Sequence, residues 1–154
     1  CLVPEKRLEI TTEGGLDIIG TKKNKLLLLE KIIDYAYKNN IDVSLFIDPD
    51  IKQIRSAKNM GVKIVELHTG NFCSSKKEKK IEELEKLKVA SEYAHGEGIE
   101  VHAGHGINFD TVGDISKIKY IAELNIGHFL IGEAIFLGLK KTIIKMRKMI
   151  DLAK

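Results

Sequence analysis

His105 stands between Gly104 and Gly106, and His128 directly follows Gly127. Each pair closes a short apolar segment that reads as a strand. An imidazole titrates near neutrality, at about 6.5 in the absence of neighbours, so it can give or take a proton there. Glycines lack a Cβ and let backbone amides approach an anion closely. Two such turns at neighbouring strand ends would make a phosphate pocket with an imidazole over it. His105 reads as a proton donor, with a phosphate or structural contact as the alternative. His128 reads as ligand-facing or as a turn histidine. The apolar run 129–136 after Gly127-His128 is long enough for a short helix, whose free N-terminal amides suit phosphate.

Glu66 interrupts an otherwise apolar strand. A carboxylate there needs a partner or water, which leaves catalytic or electrostatic work on one side and a salt bridge across the sheet on the other. His68, two residues on, shares its side of the strand and reads as a turn or supporting residue. Asp48 also ends a strand, as a helix cap or a support for the site. His68, His102, His105 and His128 match no compact metal-ligand spacing, and the glycines argue for an anion instead. His95, near a helix end, reads as structural.

These residues must be positioned by alternating strands and helices. Segments 43–47, 62–67, 99–103 and 121–126 read as short strands, and Cys1 to Val3 reads as the tail of a fifth. Between them the apolar period changes to about 3.6. Leu28, Leu29, Ile32, Ile33 and Ala36 mark a helix over 24–39. Ile51, Ile54 and Ala57 mark one over 50–59, and Ile81, Leu84, Leu87, Ala90 and Ala94 one over 77–95. A last stripe runs through Leu139, Ile143, Met146, Ile150 and Ala153 and reads as packing. Asn40, Gly61 and Gly98 precede strands as helix stops. The alternation calls for a parallel sheet, either an open doubly wound sheet or a slice of an eight-stranded barrel. Residues at the strand C-terminal ends then converge on one face, which collects Glu66, His68, His105, Gly106, Gly127 and His128.

The 154 residues carry 25 basic and 22 acidic side chains, a formal charge of +3 with both signs interspersed. That balance gives nucleic acid little reason to bind. Lys76, Lys77, Lys79 and Lys80 stand with Glu78, Glu82, Glu83 and Glu85 and read as a solvated helix face with i,i+4 pairing, with a binding patch as the alternative. Two cysteines, Cys1 and Cys73, have neither metal-motif spacing nor a disulfide pattern, as suits a reducing compartment. No run approaches the ~20 apolar residues of a membrane span, so the expected location is the cytoplasm. Residues 1–154 read as one domain. The start at Cys1, without a Met, reads as a strand entered midway and hence as part of a longer polypeptide. The irregular region 4–22 reads as a lid or as a surface excursion; Lys6 and Arg7 within it are solvated charge or an attraction for phosphate.

Six ordered strings then stop looking generic: Leu-Val-Pro-Glu-Lys-Arg at 2–7, Thr-Thr-Glu-Gly-Gly-Leu-Asp at 11–17, Val-Ser-Leu-Phe-Ile-Asp at 43–48, Glu-Leu-His-Thr-Gly at 66–70, Ala-Gly-His-Gly at 103–106 and Leu-Asn-Ile-Gly-His at 124–128. Together they resemble the pyridoxine 5′-phosphate synthase family, over about its last two thirds. The resemblance implies a (β/α)8 TIM barrel, here the portion from about strand 4 to strand 8 with the C-terminal helix. It implies condensation of 1-deoxy-D-xylulose 5-phosphate with 3-amino-2-oxopropyl phosphate to pyridoxine 5′-phosphate, inorganic phosphate and water. It further implies no cofactor or metal and a homo-oligomer, often an octamer. Carried over by motif, Glu66 resembles the glutamate that stabilises a transition state, and His105 resembles the proton donor. Thr11 resembles a substrate contact in the long loop; Gly106, Gly127 and His128 resemble the aminoketone phosphate site. The family's Asn/Asp-His region, phosphate-contacting Arg, second-strand His and third-strand Glu have no match in 1–154. Two rivals stand beside this reading. Another phosphate-binding barrel, an aldolase or isomerase, would place a lysine or a different base at a strand end. An assembly fragment would act only through its edges.

Overall fold

The computed structural model describes residues 1–4 and 14–153. The elements run α1 (Lys23–Lys38), β1 (Ser44–Ile47), α2 (Ile51–Asn59), β2 (Ile64–His68), α3 (Gly70–Ser74), α4 (Lys77–Gly96), β3 (Glu100–Gly104), α5 (Val112–Ser116), β4 (Ile121–Asn125), α6 (His128–Leu137) and α7 (Leu139–Ala153). The four strands form one parallel sheet in the order β1-β2-β3-β4. The expected fifth strand at Cys1 to Val3 is reduced to a single parallel bridge, Leu2 to Leu45. Pro4 ends it by removing the next backbone donor.

The two faces of the sheet differ chemically because side chains alternate along each strand. Leu45, Ile47, Val65, Leu67, Val101 and Ala103 point to one face and are fully or almost fully buried. They pack in one core with Ile33 and Ala36 of α1, Ile54 and Ala57 of α2, and Leu87, Ala90 and Ala94 of α4. Each such large apolar side chain contributes about 1.5–3 kcal/mol by leaving water. The other face aligns Phe46 with Glu66, His102 and Glu123, then His68 with Gly104 and Asn125. The β3–β4 register skips Ala122, which brings Glu123 and Asn125 into line with His102 and Gly104.

All three expected helix stops use one geometry. Asn40, Gly61 and Gly98 take positive φ of 57°, 76° and 73°. The amides of Ile41, Val62 and Ile99 then bond back to the carbonyls of Ala36, Ala57 and Ala94 at 2.9–3.2 Å. These are Schellman closures, and each turns the chain directly into the next strand.

Three expectations are corrected. Ile81, Leu28 and Ile32, placed on buried stripes by periodicity, are exposed, as are Leu139 and Ile143 of the last helix; Thr142 and Met146 carry the burial of α7. A stripe wider than the contact it faces leaves its flanks outside. The Lys76 to Lys80 cluster forms no i,i+4 pairs among the ion pairs of the described residues; α4 pairs Lys86 with Glu83 and Lys88 with Glu85 at i,i+3, and Lys80 lies over the Phe72 ring at 5.0 Å. Of the two readings of Asp48 only the helix cap fails: Asp50 caps α2, accepting from the Lys52 amide at 2.8 Å, while Asp48 meets His68. The strongly apolar α6 has no buried residue, with Ile135 and Phe136 79% and 84% exposed. No helix of the described residues is long and apolar enough to cross a membrane.

Candidate active site

Glu66 reaches the site from the polar face of β2, 8% exposed. Its Oε2 accepts a hydrogen bond from Asn125 Nδ2 at 2.7 Å and faces the Cys1 thiol at 3.3 Å. Its Oε1 lies where a Cβ on Gly104 would sit, so the glycine makes room for the carboxyl. Burial pushes the Glu66 carboxyl above its usual range, against the opposing pull of the Asn125 amide and the His102 ring.

His105 occupies the turn after β3 at φ 80°, a conformation costly for a residue with a Cβ. Thr69, wholly buried after β2, holds it there. The Thr69 amide donates to the Gly104 carbonyl at 2.9 Å, and its hydroxyl is shared between the carbonyls of Gly104 at 2.8 Å and His105 at 2.5 Å. The next residue, Gly106, has φ 76°, and a Cβ there would lie 3.1 Å from Cys73 Cβ. Burial raises the Cys73 thiol.

Behind His105 lies His68, with ring centroids 4.9 Å apart and planes tilted by 57°. His68 Nδ1 is 3.0 Å from Asp48 Oδ1. The same Asp48 oxygen accepts from the Gly15 amide at 3.1 Å. The bond to His68 chiefly lowers the Asp48 carboxyl below its usual range.

Gly127 is the N-cap of α6, and the first bond of the helix runs from the Ile131 amide to the Gly127 carbonyl at 3.1 Å. The amides of the preceding turn are therefore open to an anion, with the positive end of the helix dipole behind them. Nothing lies within 4 Å of a Cβ built on Gly127.

Glu66, His105, Gly106, Gly127 and His128 all line one open cleft of about 690 Å³, joined by Asn125. Thr11 lies outside the described residues. His102 sits deeper on the same sheet face, 2.8 Å from Glu100 and 3.9 Å from Glu123. His95 stacks on Tyr120 at 4.3 Å, a packing role. Among the described residues no three His, Cys, Asp or Glu side chains group as a metal site. A buried carboxyl and an imidazole, groups able to exchange protons, thus share one cleft with turns whose amides are able to meet an anion.

Residues 1–152 match the family model described as Pyridoxal phosphate biosynthesis protein PdxJ. The chain belongs to the PdxJ family. It is 49% identical over 154 residues to the pyridoxine 5′-phosphate synthase of Zymomonas mobilis, covering 100% of this chain and 59% of that protein. It is 51% identical over 145 residues to that of Pelagibacter ubique, covering 93% and 59%, and 47% identical over 150 residues to that of Ehrlichia canis, covering 97% and 60%. The chain thus spans about three fifths of the length of these curated relatives.

Thr69 and Asn125 are site residues that no local signal in this PdxJ-family sequence singles out, although both lie inside strings that carry the resemblance. Their signals were weak: a threonine after a strand and an asparagine ending one are ordinary turn residues. What the sequence withheld was the partner. Thr69 acts on a carbonyl 36 positions away and Asn125 on a carboxyl 59 positions away. The short helices α3 and α5 leave no periodic signal either, because five residues are too few to show one.

Proposed function

We propose that this chain carries the C-terminal part of a pyridoxine 5′-phosphate synthase, condensing 1-deoxy-D-xylulose 5-phosphate with 3-amino-2-oxopropyl phosphate to pyridoxine 5′-phosphate, inorganic phosphate and water. The observation that carries this reading is the convergence of Glu66, His105, Gly106, Gly127 and His128 on one cleft, in a chain of this family. Imine formation, loss of water and phosphate, and ring closure each move protons. His105 serves as the proton donor, and Glu66 stabilises positive charge that develops in the transition state. The Gly106 and Gly127 amides, with His128, hold the aminoketone phosphate. Thr11 contacts substrate, and the 4–22 region, of which 5–13 lie outside the described residues, has the role of a lid that keeps imine and enol intermediates from water.

The parallel sheet belongs, in this reading, to a (β/α)8 barrel that forms a single domain and a cytoplasmic homo-oligomer, an octamer by family analogy. Two features support further packing: the polar sheet face with Glu66 and His102, and the exposed apolar surface at Ile131, Ile135, Phe136, Ile143 and Ile144. The test is product formation from the two substrates by the protein purified from its own cells, with intact mass measured on the same preparation. Product with a mass near that of the longer relatives is the expected outcome. No product at such a mass overturns the reading.

A further inference from the structure

Asn108 lies on the wall of the cleft, in the turn that follows His105 and Gly106. Its amide oxygen is fully engaged. Oδ1 accepts from the backbone amides of Asp110 at 2.9 Å and Thr111 at 3.1 Å, and from the Thr111 hydroxyl at 3.0 Å. Two backbone N–H groups can only meet an acceptor, so the orientation of the carboxamide is settled by its neighbours: the oxygen faces the start of α5, and the nitrogen is the other end. Nδ2 has no hydrogen-bond partner among the described residues, and it is not one of their buried unpartnered atoms, which are His68 Nε2 and Ser116 Oγ. Its two protons are therefore open to whatever occupies the cleft.

The turn is held from several sides. The buried Thr111 hydroxyl accepts from the Asn108 backbone amide at 3.0 Å in return, and the buried Ile107 anchors the chain just before it. Phe109 meets Phe129 edge-on, with ring centroids 4.9 Å apart and planes at 90°, and Lys145 Nζ lies 3.8 Å from the Phe109 centroid. Phe109 follows Asn108 in the chain and Phe129 follows His128, so this contact ties the Asn108 turn to the Gly127-His128 turn at the head of α6.

We infer that Asn108 is an anion-binding residue of this cleft, its Nδ2 donating to the same phosphate that the Gly106 and Gly127 amides and His128 hold. The inference rests on the functional reading above for the identity of that phosphate, the aminoketone's, and on the fold alone for the direction of the amide. A phosphate at neutral pH presents chiefly acceptors, the complement of an NH2 group whose oxygen is already committed elsewhere. A substrate carbonyl also accepts, and inorganic phosphate, which carries none, tells the two apart.

The test uses the full natural polypeptide and two substitutions. Asn108→Asp keeps an oxygen for the three donors and replaces the amino group by a second, negatively charged oxygen. Asn108→Ser keeps a short capping acceptor and removes the amino group without adding charge. Titration calorimetry reads inorganic phosphate binding, the product assay reads KM for each substrate, and melting temperature reads folding. Asn108→Ser is expected to weaken inorganic phosphate binding and to raise the KM for 3-amino-2-oxopropyl phosphate about tenfold, the worth of one hydrogen bond to a charged group. Asn108→Asp is expected to do so by more, with its melting temperature close to wild type and the KM for 1-deoxy-D-xylulose 5-phosphate moved less. No inorganic phosphate binding by the wild type, or equal affinity in wild type and Asn108→Ser, overturns the inference; a raised aminoketone KM in that second case would assign Nδ2 to a carbonyl. Should Asn108→Ser melt early, Asn108→Asp, which retains the cap, decides, and unchanged phosphate affinity there overturns the inference. Absence of product from the wild type, with phosphate binding still weakened in the variants, would defeat the functional reading and leave this donor in place.

Discussion

The two Gly-His turns use the same residue types in opposite ways. At 104–106 the backbone is forced: His105 and Gly106 both have positive φ, Thr69 grips two carbonyls, and Cys73 leaves no slack beside Gly106. At 127–128 nothing crowds the glycine, and the chain simply enters a helix. The first turn spends strain to aim a side chain, whereas the second offers backbone amides at a helix start. A rigid turn suits an imidazole that must meet a reacting atom. An open turn suits a phosphate, which needs several donors and little direction.

The sharpest way to break this contrast is His105→Asn, expected to lower turnover by about 10²- to 10⁴-fold while thermal unfolding stays near wild type, read by product assay and calorimetry. Unchanged turnover would remove His105 from proton transfer and make the two turns equivalent. Thr69→Val keeps shape but strips the shared hydroxyl, so the His105 carbonyl loses that donor while the Gly104 carbonyl keeps the Thr69 amide. A loss of about 1–3 kcal/mol in denaturant unfolding is expected, together with slower turnover as His105 relaxes. Gly106→Ala should cost about 1–2 kcal/mol through its backbone conformation. The matching Gly127→Ala should stay within about 0.5 kcal/mol of wild type in unfolding and be felt, if the turn holds phosphate, in weaker inorganic phosphate binding by titration calorimetry. Equal destabilisation by the two alanines would collapse the comparison.

The smallest effects concern pH. Glu66 is raised in the folded state, so the folded protein holds that proton longer than the unfolded chain does. Its contribution to stability is therefore expected to fall as pH rises from the ordinary carboxylate range through the folded value, and Glu66→Gln should flatten that part of the curve. Asp48 is lowered, so its contribution is present above the ordinary carboxylate range and is lost as pH falls through the folded value. The difference between wild type and Asp48→Asn should accordingly shrink in acid. Denaturant titrations across pH check both signs.

Much of this organisation was legible residue by residue. Asn40, Gly61 and Gly98 announced helix ends because positive φ is a local property, and the alternation of periods gave strands within one or two residues of those observed. Gly104 has a role that the local sequence does not reveal. As a member of a glycine-rich turn it suggested an amide for an anion, yet it clears space for the Glu66 carboxyl from the neighbouring strand. The choice between Asp48 and Asp50 as the cap of α2 was also undecidable locally, since both flank Pro49 and the difference lies in what β2 presents to Asp48.

The sequence by itself determined the parallel α/β plan, the strand ends that carry chemistry and the family, because periodicity, turn residues and motif order are written along the chain. Only the tertiary structure decided which strand is reduced to a bridge, which apolar stripes are covered, and that Thr69, Asn125 and Asp48 hold His105, Glu66 and His68. The reason is range. Backbone preference and burial period are properties of a few neighbouring residues, whereas a hydrogen bond between side chains tens of positions apart exists only once the sheet register has brought their strands together.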